Sequence, residues 1–97
     1  MARIEFAARD IGQAAAHGGG ADALYQLGLM YCSGRDVDYD LVEAHKWFNL
    51  AALRGNQDAK RYRAELSREM SRQEIAAAQK RAREWLTLMY GPAAGRK

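Results

Sequence analysis

A nine-residue phrase occurs twice in this chain and constrains the fold more than any other sequence feature. AAHGGGADA at 15–23 and AALRGNQDA at 51–59 agree at five positions, with an offset of 36 residues. A period between about 20 and 50 residues is typical of solenoids, whose units are short supersecondary motifs that stack on one another. Each copy places paired alanines before a glycine turn and Asp-Ala after it. The phrase therefore predicts a joint between two helices that the chain uses twice.

Helical periodicity extends through most of the remaining sequence. Apolar residues recur at spacings of three and four, and the chain of 97 residues has only one proline. The pattern predicts five helices, over 3–16, from Ala21 to a loop that begins at Ser33, from Asp40 to Gly55, over about 57–69, and from Ser71 to about Tyr90. No segment alternates with a period of two, so no sheet is expected. The predicted fold class is all-α, a short α-solenoid of antiparallel helix hairpins.

Two of these helices carry recognisable start signals. Asp40 is a good N-cap residue and Glu43 follows it at capping-box spacing, while Ser71 with Glu74 forms an S-x-x-E capping box.

The central part of the chain resembles a known repeat. The residues that carry the resemblance are Ala21, Ala23, Leu27-Gly28, Tyr31, Gly34, Val37, Asp40, Ala44, Trp47-Phe48, Ala51-Ala52, Gly55 and Ala59. In this order they look like one complete Sel1-like repeat, a branch of the tetratricopeptide superfamily. The resemblance implies a single helical-repeat domain over 1–90. Its parts are a partial repeat at 1–20, a full repeat at 21–56 and a divergent repeat or cap at 57–90, followed by a flexible tail at 91–97.

The sequence departs from the family pattern at three positions. Asp36 replaces a loop glycine, and aspartate tolerates the left-handed conformation better than most residues, so the loop is expected to survive. In the divergent repeat, Arg63 stands where the family has leucine and Ser67 where it has tyrosine. These two polar residues leave the packing of the fourth predicted helix open.

Charge is distributed unevenly along the chain. Residues 1–53 have four Lys/Arg and seven Asp/Glu, a net charge of −3, whereas residues 54–97 have eleven and five, a net charge of +6. The basic half is either an ordinary solvated helix surface or a patch for an acidic protein or nucleic acid. The candidate basic patch consists of Lys60, Arg61, Arg63, Lys80, Arg81 and Arg83, with Arg68 and Arg72 nearby and Tyr62 able to stack on a base.

No set of residues indicates catalysis, a metal ion or another cofactor. His17 and His45 are 28 positions apart without a cysteine pair nearby, and both are expected at the surface or at a helix end. The acidic residues near Asp36 lack the glycine and glutamate of a calcium loop. No secretory signal and no membrane-spanning segment is expected, and the single cysteine fits a reducing compartment, so the predicted location is the cytoplasm.

Two surfaces are candidates for partner binding. In solenoids of this kind the first helix of each pair commonly lines the concave surface, and the residues there that the repeat pattern does not need are Tyr25, Gln26, Leu29 and Cys32. Tyr25, Leu29 and Cys32 share one helix face. That face either binds a peptide or helix or packs against the N-terminal helix.

The second candidate surface is the end of the last helix, WLTLMY, which has more apolar residues than one buried stripe absorbs. Trp85, Leu88 and Tyr90 there either contact another chain, including a second copy of this one, or fold back as a cap.

Together these features predict a non-catalytic protein–protein interaction module, a small adaptor or accessory subunit of a larger complex. The alternative is a nucleic-acid-associated helical protein that uses its basic half.

Overall fold

The computed structural model describes residues 20–91. In this range the chain forms four helices and no strand, namely α1 (Ala21–Ser33), α2 (Leu41–Leu53), α3 (Gln57–Glu69) and α4 (Arg72–Tyr90). The all-α class is therefore confirmed. The predicted helix at 3–16 and the tail after Gly91 lie outside the described residues.

Side-chain caps fix where three of the helices begin. Asp40 accepts a hydrogen bond from the Glu43 amide at 3.1 Å, and Asn56 accepts one from the Ala59 amide at 2.7 Å. The predicted capping box is confirmed at α4, because Ser71 and Glu74 exchange hydrogen bonds of 3.0 and 2.8 Å. Such caps satisfy amide groups that a helix otherwise leaves without partners in its first turn.

The loop between α1 and α2 depends on two left-handed residues. Gly34 ends α1 with a φ of 75°, and Asp36 follows with a φ of 67°. The expectation that aspartate supports the left-handed conformation at this position is confirmed.

Helix α2 is the centre of the fold and packs against each of the other three helices. Asn49 and His45 of α2 contact Arg63 and Ser67 of α3 in reverse order, so α2 and α3 are antiparallel. Glu43 and Trp47 contact Arg81 and Trp85 of α4 in the same order, so α2 and α4 are parallel. These contacts set the direction of each helix around α2.

One detail of the repeat architecture differs from a regular array of hairpins. Helices α3 and α4 follow one another in the chain but share no extensive contact, because each packs on α2 instead. The physical reason lies in their buried residues. Ala78 and Ala82 let α4 approach α2 closely, while the polar residues of α3 match polar residues of α2.

The core is tightest where α1 crosses α2. Gly28 is buried there, and a Cβ atom at its position would lie 2.5 Å from the Phe48 ring. Phe48 also contacts Tyr25 and stacks on Tyr62, with ring centroids 5.9 and 5.3 Å apart, so three helices meet at this ring. The largest fully buried side chains are Phe48, Leu24, Leu27 and Leu50.

Candidate interaction surfaces

The predicted stripe on α1 is mostly part of the core. Tyr25 is half-buried, with its ring centroid 6.1 Å from that of Tyr62, and Leu29 and Cys32 pack against the buried cluster. Burial raises the pKa of the Tyr25 hydroxyl, and burial likewise raises the pKa of the Cys32 thiol. Cys32 is therefore a weakly reactive, protonated thiol at neutral pH. Of the four predicted residues only Gln26 is exposed.

Tyr62 of α3 lies next to the predicted stripe on α1. The residue pattern of α1 alone did not indicate this neighbour. Its ring is 37% exposed and lies beside Tyr25, so α1 and α3 together present an aromatic pair. A hydrogen bond of 3.2 Å between Asn56 and Asp22 holds the beginning of α3 close to the beginning of α1. We call Tyr25, Gln26 and Tyr62 the α1/α3 surface.

At the end of α4 the three predicted residues have different surroundings. Trp85 is only 9% exposed and meets Trp47 edge-on at a centroid distance of 5.5 Å, so it is a core residue and the prediction that it contacts a partner directly is corrected. Leu88 is 77% exposed and Tyr90 is 47% exposed. The Arg54 guanidinium lies over the Tyr90 ring and hydrogen-bonds its hydroxyl.

That contact brings the C-terminal ends of α2 and α4 together. Leu53, the last residue of α2, is 66% exposed at this same end. Three of the five exposed large hydrophobic side chains in the described range therefore belong to the last turns of these two helices. We call Leu53, Leu88 and Tyr90 the C-terminal edge.

The predicted basic patch is not one continuous surface. Arg61 pairs with Asp58, Arg63 donates to Asn49 at 2.6 Å, and Arg81 donates to Glu43 at 2.8 Å. Lys60, Lys80 and Arg83 are exposed, the first on α3 and the other two on α4. Because α3 and α4 pack on α2 without extensive contact with each other, their cations do not converge.

Glu43 has a structural role that capping-box spacing did not reveal. Its carboxylate accepts from the Trp47 indole at 3.2 Å, from Lys46 at 3.0 Å and from Arg81 of α4 at 2.8 Å. The carboxylate thus links the first turns of α2 to the middle of α4.

His45 is the residue for which the sequence expectation is wrong. It was expected at the surface or at a helix end, but it is 2% exposed in the interior of α2. Its Nε2 lies 3.0 Å from Ser67 Oγ, and Ser67 in turn donates to the Arg63 carbonyl at 2.9 Å. The ring therefore donates through Nε2, while the buried Nδ1 has no hydrogen-bond partner among residues 20–91. Burial lowers the pKa of His45, and the positive charge of Arg63 lowers it further.

The contact between α2 and α3 could have been anticipated from two polar residues of α3 that depart from the family pattern. Arg63 and Ser67, which stand at positions where the resembled family is apolar, are the residues that pair with Asn49 and His45. Polar residues facing one another across a helix pair satisfy each other in the interior.

The described part of the chain has no group of three or more His, Cys, Asp or Glu residues placed to hold a metal ion. Between residues 20 and 91 no helix is long and apolar enough to cross a membrane.

The α1–α2 hairpin matches a known protein family. Residues 21–56 match the family model of the Sel1 repeat. This segment of 36 of the 97 residues is similar to one Sel1 repeat. Repeats of this type are generally protein–protein interaction modules. Comparisons with curated proteins and with solved structures gave no significant match.

The matched segment comprises α1, the loop with Asp36, α2 and the turn at Gly55. Its small residues allow close helix packing, since Gly28 meets Phe48 and Ala44 and Ala51 are fully buried. Helices α3 and α4 lie beyond the matched residues and enclose the other sides of α2.

Proposed function

We propose that this chain is a non-catalytic protein–protein interaction module that acts as a small adaptor or accessory subunit of a larger complex. The Sel1 repeat at 21–56 carries the proposal. In the proposed mechanism the α1–α2 hairpin is a rigid frame that presents side chains to a protein partner.

The α1/α3 surface is the proposed contact on the repeat. Gln26 is exposed there, and the neighbouring Tyr25 and Tyr62 rings are fixed by Phe48 beneath them. Tyrosine gives large contact area at low entropic cost, and aromatic side chains are enriched where binding energy concentrates. Such pre-ordered rings reduce the entropy lost on association.

A photocrosslinking residue at Gln26 tests this proposal in cells of the source organism. Gln73, which is exposed in the first turn of α4, provides the matched control site. We expect a discrete protein adduct from position 26 that excess unmodified chain suppresses, and no such adduct from position 73. Equal labelling from both sites, or no adduct from position 26, argues against the α1/α3 surface.

The proposal also predicts that a bound partner stabilises the folded chain. A partner that binds only the folded chain stabilises it by mass action, by about 2.7 kcal/mol at one hundred times the dissociation constant. The melting temperature of the chain should therefore rise with the concentration of the captured partner. A midpoint that stays fixed over a wide range of partner concentrations contradicts binding to the folded state.

Nucleic-acid binding is the weaker candidate function. Three of the six proposed basic residues already have polar partners within the chain, and the remaining three are divided between α3 and α4. If the basic half does bind nucleic acid, affinity for single-stranded RNA falls steeply as salt rises. No binding at low ionic strength removes this alternative.

A further inference from the structure

Helix α3 carries three acidic residues around the exposed ring of Tyr62. Asp58, Tyr62, Glu65 and Glu69 follow one another at spacings of four, three and four residues, so they share one face of the helix. All four side chains are exposed. We call Asp58, Glu65 and Glu69 the acidic stripe of α3.

Contacts of α3 with its two neighbours show where this stripe lies. Arg63 and Ser67 contact α2, whereas Tyr62 contacts Tyr25 of α1 with a distance of 6.1 Å between the ring centroids. Burial is the largest cause of the raised pKa of the Tyr25 hydroxyl, and Tyr62 and the charge of Asp58 raise that pKa further. The acidic stripe therefore borders the α1/α3 surface and is separate from the polar contacts with α2.

Helix α1 adds a fourth carboxylate to this surface. Asp22 contacts Asn56 and Tyr25 contacts Tyr62, in the same order along both helices, so α1 and α3 run in the same direction. Asp22 is exposed in the first turn of α1. The pair of tyrosine rings thus has carboxylates from two helices around it.

The local charge is negative, although the whole chain has a net charge of +3. Two cations lie beside the four carboxylates. Arg61 pairs with Asp58, and Arg68 is exposed three residues after Glu65. Glu65 and Glu69 form no ion pair with any residue between 20 and 91. Carboxylates therefore outnumber cations here, and two of them are available to a partner.

An exposed tyrosine ring beside free carboxylates has the chemistry that binds arginine. A guanidinium group stacks on an aromatic face and donates paired hydrogen bonds to a carboxylate. The chain itself contains such stacking, because the Arg54 guanidinium lies over the Tyr90 ring. Nucleic acid has the opposite requirement, since its phosphates are repelled by carboxylates.

We infer that the α1/α3 surface and the acidic stripe of α3 together dock an arginine-rich segment of a partner protein. The inference rests on the proposed function and adds the chemistry of the segment that this surface binds. One guanidinium stacks on Tyr62, and neighbouring cations face Glu65 and Glu69. The stripe is about 16 Å long, which an extended segment of about five residues spans.

Three synthetic peptides test the inference on the whole chain in vitro. Each has about eight residues, enough to cover the stripe in extended form, and they differ only in carrying arginine, lysine or glutamate at alternate positions. Amide NMR spectra of the isotopically labelled protein report where each peptide binds. We expect the arginine peptide to shift amides of residues 22–29 and 58–69, the lysine peptide to bind more weakly, and the glutamate peptide to cause no shift.

A pair of charge-matched variants separates this surface from the charge of the whole chain. Glu65→Lys with Glu69→Lys should weaken the arginine peptide about tenfold, because attraction becomes repulsion at both positions. Asp38→Lys with Glu84→Lys changes the net charge equally at exposed positions outside the surface and should leave the affinity unaltered. Circular dichroism and thermal melting establish that both double variants are folded.

Tyr62→Leu tests the stacking of the guanidinium. Without the aromatic ring, the preference for the arginine peptide over the lysine peptide should disappear, because the ring binds the planar guanidinium better than the ammonium group. A preference that persists in Tyr62→Leu, or is missing in the wild type, overturns the assignment to arginine.

Further outcomes overturn the inference as a whole. These are no binding of the arginine peptide, equal binding of the glutamate peptide, shifts outside the α1/α3 surface, and equal losses in the two double variants. A dimer that sedimentation detects and that Glu65→Lys with Glu69→Lys abolishes assigns the surface to a second copy instead. A crosslink from Gln26 without binding of the arginine peptide rejects only this inference, whereas a missing crosslink rejects the proposed α1/α3 contact itself.

Discussion

The Nε2 of His45 lies 3.0 Å from Ser67 Oγ across the α2–α3 interface, and the other ring nitrogen is buried with no partner in the described part of the chain. The imidazole is therefore neutral in the folded chain. Protonation would place a donor and a positive charge in the interior, near the guanidinium of Arg63 on the facing helix.

The first prediction is a loss of stability in mild acid. The folded pKa of His45 is lowered from its ordinary 6.5, so the unfolded chain takes up the proton first as the pH falls. The contribution of His45 is fully present above about pH 6.5 and is lost as the pH falls through that value towards the lower folded pKa. Urea unfolding between pH 5 and 8 measures this slope. His45→Gln should flatten it.

Ser67→Ala should destabilise the fold by about 1–3 kcal/mol, because it leaves the buried Nε2 donor without an acceptor. Ser33→Ala is the matched control, since the Ser33 hydroxyl is exposed and, among the described residues, bonds only to carbonyls of its own helix. If Ser67→Ala and Ser33→Ala have the same free energy of unfolding, the interhelical hydrogen bond contributes nothing.

Gly28→Ala should destabilise the chain although alanine favours helix by about 1 kcal/mol. The added Cβ would lie 2.5 Å from the Phe48 ring, and such overpacking typically costs about 1–3 kcal/mol. Chemical denaturation measures the difference, with Gln26→Ala as the control at an exposed position of the same helix. Phe48→Leu in the Gly28→Ala background should recover part of the loss, and full additivity of the two changes contradicts a direct clash.

Asp36→Gly should raise the free energy of unfolding by up to about 1 kcal/mol, because glycine adopts the φ of 67° without steric cost. Asp36→Val should lower it, since a β-branched residue is strained there. Asp38→Gly is the control, because Asp38 does not have a positive φ. Thermal melting distinguishes the three variants, and an equal change at positions 36 and 38 would show that charge rather than backbone strain decides the effect.

Glu43→Ala should destabilise the chain more than Arg81→Ala. Loss of Arg81 removes one partly exposed ion pair, worth about 0–1 kcal/mol, whereas loss of Glu43 also leaves the Trp47 indole without its acceptor. A double-mutant cycle measures the coupling between the two residues by denaturation. Tryptophan fluorescence should report the change directly, because Trp47 and Trp85 lie beside this pair.

Within residues 20–91 the amino-acid sequence by itself determined the four helices and the joint at Gly55, while the joint predicted at 15–23 lies largely outside the described residues. The helix positions and the left-handed Asp36 could be predicted because their causes act between neighbours in the chain. These causes are the spacing of apolar residues, the caps at Asp40 and Ser71 and the glycine turns. The resemblance of residues 21–56 to a Sel1 repeat could also be recognised from the sequence, because the pattern of that repeat consists of residues close to one another in the chain.

Only the tertiary structure decided which side of each helix is covered. The burial of His45 and Trp85, the half-buried state of Tyr25 and the exposure of Leu88 depend on how α3 and α4 are arranged around α2. That arrangement arises from contacts between residues 14 to 38 positions apart, such as His45 with Ser67 and Glu43 with Arg81. Helical periodicity indicates that a helix has a buried face, but the identity of the neighbour on that face is set by packing across the whole fold.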